Sequence, residues 1–458
     1  LAIDFLLKRF QDAAESNAIV WRGQTVSYTW LHDQIAQDSQ TLEKRGVRAG
    51  SVVLLHADFS PSSISLFLAL AGLGCIVVPL TRDATPQLDR FADIAKAGVS
   101  VTTDDGDAAE VRFLSSRPDH EHYTTLRERG HPGLVLFTSG STGESKAVVH
   151  DLDLILEKFK TPRPAFRTIA FLLFDHIGGV NTMLHTLSNA GCLVTIDDRR
   201  PEAVLATIEA HAVDLLPTSP TFLNLLLLSE SHRDHDLSSL RLVTYGTEPM
   251  PQSTLRRLHE LFPDIDLRQT YGLSEIGILR AKSRGPDSLW MKLGGEGIDT
   301  RLVEGILQIR ARSAMLGYLN APSPFTDDGW FDTGDEVEVE GEYLRILGRS
   351  SDIINVGGEK VHPAEVESVI EEMSNVAQAT VYAEPNPLVG QAVCARVTLV
   401  NPESRKDFSV RMRQHCGERL LRHKVPVRVE LVETHQHNER FKKQRRTDAS
   451  SNRETYPS

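Results

Sequence analysis

Cysteine is scarce: four in 458 residues, Cys75, Cys192, Cys394 and Cys416, none set in a C-x-x-C pair. That spacing argues against a disulfide framework and a thiolate zinc site, and it fits a reducing compartment, so a cytoplasmic location is expected. Positive charge is also in deficit. Lys plus Arg number 50 against 62 Asp plus Glu, a net charge of −12, which disfavours nucleic acid as the main partner because phosphate backbones are held by basic surfaces. A G-x-S-x-G elbow is absent, which removes that class of hydrolase, and there is neither a basic-then-apolar leader pattern nor a repeat of fixed period. One uncharged run, Ser63 to Leu80, is about as long as a membrane span. Gly72 and Gly74 interrupt it and Pro79 closes it, so it reads as helix, tight turn and buried parallel strand, with no membrane span. His232 and His235 in "SHRDHD" lack a third metal ligand nearby and read as a polar loop.

What the chain does have is an ordinary globular composition, 40% hydrophobic and 24% charged, at a length beyond the roughly 250–300 residues that one hydrophobic core serves. Two or more domains are expected. "AIVWRGQTVSY" reads as two strands around Arg22-Gly23-Gln24. Leu31, Ile35 and Leu42 then recur at helical spacing up to Gly46, and "SVVLLHA" follows as a strand. Such alternation predicts a wound α/β domain with buried parallel strands. Further strands read at 192–196, 214–216 and 240–245. From about Met291 short strands sit among Gly-rich turns. After Arg349 a helix at 363–373 with Pro at its first position, strands "QATVYA" and "AVCARVTLV", and a helix around 408–423 make a smaller α+β unit. The predicted fold class is therefore α/β: a large N-terminal domain of wound α/β subdomains with a small β-rich part (1–349), a small mobile α+β domain (350–446) and a polar tail (447–458).

The segment with the clearest chemistry is "TSGSTGESK", Thr138 to Lys146, after the apolar run Leu134 to Phe137. It is not a Walker A loop, because Ser145 and not Gly precedes its Lys. Glycines that let backbone N–H groups approach, together with Ser and Thr hydroxyls, still suit an anion; the plain alternative is a surface linker of small residues. Four more elements follow in order: "YGTEP" (245–249), "QTYGLSE" (269–275), "GWFDTGD" (329–335) with "LGR" (347–349), and "INVGGEKVHPAEVE" (354–367).

Together these resemble the adenylate-forming enzymes: acyl-CoA synthetases, peptide-synthetase adenylation domains and firefly luciferases. The resemblance runs from about Tyr28 to Arg446. It implies two half-reactions. A carboxylate attacks the α-phosphate of ATP to give an acyl adenylate and pyrophosphate. A thiol, of coenzyme A or of a phosphopantetheine arm, then takes the acyl group and releases AMP. By the same resemblance Thr138, Ser139, Ser141, Thr142 and Lys146 contact the β- and γ-phosphates, with Gly140 and Gly143 shaping the loop. Glu275 is similar to the Mg²⁺-binding glutamate, and Ser274 stands where many relatives place a Thr that reaches the α-phosphate. Gln269 and Thr270 open the motif in which Tyr271 resembles the aromatic stacked on adenine and Gly272 is a weaker pocket candidate. Gly246, Thr247 and Glu248 resemble the wall beside the base. Asp335 resembles the carboxylate that accepts both ribose hydroxyls, with Arg349 its cationic companion.

"FDHIGGVNTML" resembles the acid-pocket segment, so His176 would sit near the carboxylate, with Gly178 and Gly179 leaving room for substrate; the alternative is a structural histidine at a helix start. Aligning "NERFKKQRR" on the family's C-terminal motif puts Lys442 on the catalytic lysine, with Lys443 as the alternative register because Phe441 replaces the usual Gly. Ser351 stands where relatives carry Asp or Lys at the hinge between half-reactions, and the 356–361 loop would then swing in toward the thiol. The resemblance thus implies a ligase joining a small-molecule carboxylic acid to CoA, with ATP, Mg²⁺ and coenzyme A. A ligase loading an acyl carrier protein and a silent nucleotide-binding homologue are the alternatives. Whether the acid is fatty, aryl or small stays open, as does the oligomeric state.

Overall fold

The computed structural model describes residues 2–116, 118–138, 145–433 and 443. Four larger sheets organise them. The first has seven strands. Its centre, Gly133–Thr138, Ile76–Leu80, Val52–His56 and Val99–Thr103, is parallel, and antiparallel strands Lys146–Asp151 and Ala109–Phe113 flank it. The two-residue strand Gly317–Tyr318 completes the edge beside Lys146–Asp151. The second sheet, also seven-stranded, runs Asp266–Gln269, Leu242–Tyr245, Leu215–Thr218, Arg167–Ile169, Cys192–Val194 and Asn17–Trp21 in parallel, closed by antiparallel Gln24–Ser27.

A shared core joins the two sheets. Val53, Leu55 and Leu136 of the first and Ile19 and Leu193 of the second meet residues of helices Tyr28–Lys44, Pro61–Gly72 and Ile177–Ser188. Tyr28–Lys44 starts where the Ser27 side chain accepts from the Trp30 N–H and buries Leu31, Ile35 and Leu42, the face expected from their spacing. Pro61–Gly72 opens with a reciprocal Ser60–Ser63 capping box and is buried almost all round. Each fully buried Leu or Phe there contributes about 1.5–3 kcal/mol relative to exposure. The uncharged run is thus an internal helix, a turn at Gly74 (φ +75°) and the strand Ile76–Leu80. Among the described residues no helix is long and apolar enough to cross a membrane.

The third sheet is antiparallel and six-stranded, from Ala281–Ser283 through Met291–Leu293, Tyr343–Arg349, Phe331–Glu340 and Ile306–Ala311 to Ile298–Val303. The chain leaves it through a turn at Ser350–Asp352 and enters a five-stranded sheet around Val376–Asn386 and Gly390–Leu399. Helices Pro363–Glu371 and Arg405–Arg419 cover it, and it has a separate core containing Phe408, Met412 and Cys416. The second of these helices begins three residues before the expected 408, because the Ser404 hydroxyl caps the N–H of Asp407. A large mixed α/β part followed by a small α+β part matches the fold class read from the sequence.

Candidate active site

Parallel strands leave their binding loops at their carboxyl ends, and three of the sequence motifs follow such ends: Gly133–Thr138, Leu242–Tyr245 and Asp266–Gln269. Thr138 and Lys146 face each other as the last pair of their antiparallel ladder. Residues 139–144 of the loop between them, with Ser139, Gly140, Ser141, Thr142 and Gly143, lie outside the described residues. At its base the Lys146 ammonium lies 5.1 Å from the centre of the Tyr318 ring. The Tyr318 hydroxyl donates to Glu275 Oε1 at 2.8 Å, so the lysine and the glutamate meet across one tyrosine. His150, fully buried beneath, donates from Nε2 to the Ser274 carbonyl at 2.5 Å. Burial drives its pKa down to about 4, so it is neutral and fixes the motif's backbone. No cluster of three or more potential metal ligands occurs among the described residues. A single carboxylate, Glu275, fits a hard cation whose other ligands are phosphate oxygens and water.

The neighbouring motifs converge on a cavity of about 180 Å³ lined by Thr247, Glu248, Gln269, Thr270, Tyr271, Gly272, Asp335 and Arg349, with Lys443 at its wall. Register explains the meeting. Tyr245 pairs with Gln269, and Asp335 pairs with Arg349 across the third sheet. The Tyr271 hydroxyl donates to Asp335 Oδ2 at 2.6 Å, and Arg349 Nε lies 2.8 Å from Oδ1. Burial raises the Asp335 pKa, opposed by Arg349 and by the Tyr271 hydrogen bond. Gly246 is required by close approach: a Cβ there would stand 2.5 Å from Thr270 Oγ1. Glu248 faces two ways, accepting from the Thr221 N–H at 2.8 Å and from the Lys443 N–H at 3.4 Å.

Lys442 lies outside the described residues. Lys443 is described: its ammonium is 2.7 Å from Glu371 Oε1 and 3.5 Å from Glu367 Oε2. Burial lowers its pKa, but Glu367 and Glu371 more than reverse this and carry it above the usual lysine range.

The acid-pocket motif is placed differently from the reading above. His176 caps helix Ile177–Ser188, its Nδ1 accepting from the Gly178 N–H at 3.1 Å, and it lines neither the cavity beside Asp335 nor the larger one next to it. Gly179 leaves no free room, since a Cβ would fall 1.9 Å from the Leu173 carbonyl oxygen; its smallness serves helix packing. Gly357 and Gly358, at φ +64° and +94°, form the two-residue turn of the hairpin Ile354–Val356 and Glu359–Val361, where left-handed backbone is needed.

A second cavity of about 800 Å³ shares Gln269 and Thr270 with the first and extends along Phe159, Leu215, Pro217, Thr182 and Ile278. Sequence reasoning missed one polar group on its wall, Lys158. That ammonium donates to Asn181 Oδ1 at 2.6 Å and to the Ile278 carbonyl at 2.9 Å, and burial, then Arg163 and Arg280, push its pKa down to about 7. The stretch from Leu152 to Phe159 also carries Asp153 and Glu157, so nothing in the local sequence marks Lys158 as the one that turns inward. The unfolded amine keeps its proton to about pH 10.4. Below pH 7 the folded state therefore carries the full burial penalty, which fades as pH rises from 7 toward 10. Lys158→Met is expected to raise the melting temperature at pH 6 by roughly 2–6 °C, and the gap from wild type, followed by calorimetry, should close by pH 10.

Comparison with known proteins extends these observations. Residues 7–292 match the family model described as AMP-binding enzyme, and residues 365–442 the one described as AMP-binding enzyme C-terminal domain. An indoleacetate–CoA ligase of Aromatoleum aromaticum is 26% identical, covering 91% of each chain. A long-chain-fatty-acid–CoA ligase of Mycobacterium tuberculosis is also 26% identical, covering 89% of each. Among solved structures, that of an anthranilate–CoA ligase in complex with anthranoyl-AMP superposes with a TM-score of 0.80 at 20% identity, over 94% of this chain and 93% of that one, a likeness of fold.

Proposed function

The chain belongs to the AMP-binding enzyme family, and from that premise we propose that it is a carboxylic acid:CoA ligase acting through an acyl adenylate. An oxygen of the acid attacks the α-phosphorus of ATP, the bond to the bridging oxygen breaks, and pyrophosphate leaves. The CoA sulfur then attacks the acyl carbon, AMP leaves and the thiol proton is lost to solvent. The observation that carries this reading is the carboxylate of Asp335 held between Tyr271 and Arg349 in a cavity that also touches the C-terminal part.

The residues divide the work by chemistry. Each Asp335 oxygen has lone pairs beyond those used by Tyr271 and Arg349, enough for the two ribose hydroxyls. Tyr271, Gly246, Thr247 and Glu248 bound the base. Thr138, Lys146 and the loop between them take the β- and γ-phosphates, and Ser274 reaches toward the α-phosphate. Glu275 would hold Mg²⁺, which supplies neutralisation of phosphate charge when bound. Gln269 and Thr270, common to both cavities, border the position where acid and nucleotide meet. Lys442 brings a cation to the developing charge.

The test is pyrophosphate release from ATP and Mg²⁺ with a panel of acids, followed by addition of CoA or a carrier protein. Release followed by CoA thioester supports the proposal. Release with transfer only to a carrier makes the chain a carrier-loading ligase, and ATP binding without release makes it a silent homologue. Ser351 lies in the turn between the third sheet and the C-terminal part. Ser351→Pro, which fixes φ near −65°, is expected to spare one half-reaction and block the other, read as pyrophosphate release against thioester formation from supplied acyl adenylate. Equal effects on both remove the hinge from Ser351.

A further inference from the structure

The larger cavity is charged in a way the adenylation reading does not use. Six cations line it, Lys158, Arg163, Arg268, Arg280, Lys282 and Lys292, against one carboxylate, Glu342, in a chain whose net charge is −12. Two of the six are neutralised, Arg268 by Asp266 and Lys292 by Glu342. Among the described residues Lys158, Arg163, Arg280 and Lys282 have no carboxylate partner. The mouth cations are exposed and need no explanation, since solvent serves them. Lys158 is different: it is half-buried, its two hydrogen bonds go to neutral oxygens and its ammonium lies 5.0 Å from the centre of the Phe159 ring, so no anion among the described residues answers its charge. A buried cation without an anionic partner is costly unless an anion is supplied.

We propose that the acid activated by this chain carries a second carboxylate, seated on Lys158, Arg163 and Arg280 in the cavity beyond Thr270. This rests on the reading of the chain as an acid-adenylating enzyme and specifies its substrate as a dicarboxylic acid. The geometry joins three segments: Lys158 follows helix Leu152–Leu156, Arg163 lies just after it, and Arg280 follows the strand Gly277–Leu279. Lys158 is tied by hydrogen bonds to helix Ile177–Ser188 through Asn181 and to that strand through Ile278. His185, on the same helix, also lines the cavity, and burial with Arg163 and Lys158 pushes its pKa down to about 4, so it adds a neutral hydrogen-bonding wall. The depressed pKa of Lys158 has a corollary: an anion bound there draws the lysine to its charged form, so binding near neutral pH takes up a proton.

The experiment compares dicarboxylic acids (succinic, glutaric, adipic, phthalic and homophthalic) with their half-methyl esters, which keep size and remove one charge. Pyrophosphate release is measured without CoA, so that phosphates of a thiol partner play no part. For at least one pair the diacid should exceed its half-ester by about 10²-fold in kcat/KM, and Lys158→Met and Arg280→Met should each bring that ratio below about 5. Equal rates for diacid and half-ester throughout overturn the proposal, as does an unchanged ratio in both variants. If no acid releases pyrophosphate, the adenylation reading fails separately and binding decides. Diacids that raise the melting temperature of wild type but not of Lys158→Met, and half-esters that do neither, support the second-carboxylate site. Equal shifts, or none, overturn it.

Discussion

Lys442→Ala is expected to slow adenylate formation by about 10²–10³-fold or more while leaving thioester formation from a supplied acyl adenylate intact. Removing one preorganised charge from a charge-developing transition state costs roughly 3–4 kcal/mol, which is that factor in rate. Its neighbour behaves differently because of what it touches. The Lys443 ammonium is already engaged by Glu371 and Glu367 of helix Pro363–Glu371, and its backbone N–H meets Glu248 of the large part. Lys443→Ala leaves two buried carboxylates facing one another, a loss of about 3–5 kcal/mol. It should show first as a lowered melting temperature, with the adenylation rate per folded molecule falling less than in Lys442→Ala. The measurement is ATP–pyrophosphate exchange beside a melting curve for each variant. If Lys442→Ala exchanges normally and Lys443→Ala does not, the catalytic ammonium is Lys443.

Asp335→Ala should weaken ATP binding by about 10²-fold or more. Two charge-assisted hydrogen bonds to a ribose, at roughly 1.5–3 kcal/mol each, are enough for that, at 1.4 kcal/mol per factor of ten. Asp335→Asn should lose less, because an amide oxygen still accepts from the Tyr271 hydroxyl, although the charge opposite Arg349 is gone. Titration calorimetry with ATP reads both variants, and a Tyr271→Phe control isolates the tyrosine's share. Unchanged affinity in the alanine variant would remove the ribose role from Asp335.

Much of this arrangement is legible in the amino-acid string for one physical reason. Glycine and hydroxyl residues that follow an apolar strand mark the carboxyl end of a buried parallel strand, where ligands bind. Thr138, Tyr245 and Gln269 could each be placed at such an end from local pattern alone. The uncharged 63–80 run was readable as helix, turn and strand because two glycines break it. Spacing could not show that Asp335 and Tyr271 share a hydrogen bond, since that depends on how the third sheet packs on the second. Tyr318, which joins Lys146 to Glu275, carries no motif. The Lys158 cluster assembles from segments more than a hundred residues apart and has no contiguous signature. His176 shows the limit of local pattern: a histidine before two glycines resembles a pocket residue, and the same pattern serves a helix cap, the alternative that its Nδ1 meets here.

The short strand Gly317–Tyr318 closes the edge of the first sheet against Val148 and Val149, so that Tyr318 reaches Lys146 only after the whole stretch from 152 to 316, Glu275 included, has been made. Contacts of such sequence separation form late, because the closure entropy of the intervening loop must be met first. A nascent chain still on the ribosome, with Thr138 to Lys146 already emerged, lacks the tyrosine that links its lysine to its glutamate. The link from Lys146 through Tyr318 to Glu275 is therefore completed near the end of the large part's synthesis, and an unfinished chain carries the Thr138–Lys146 motif without it.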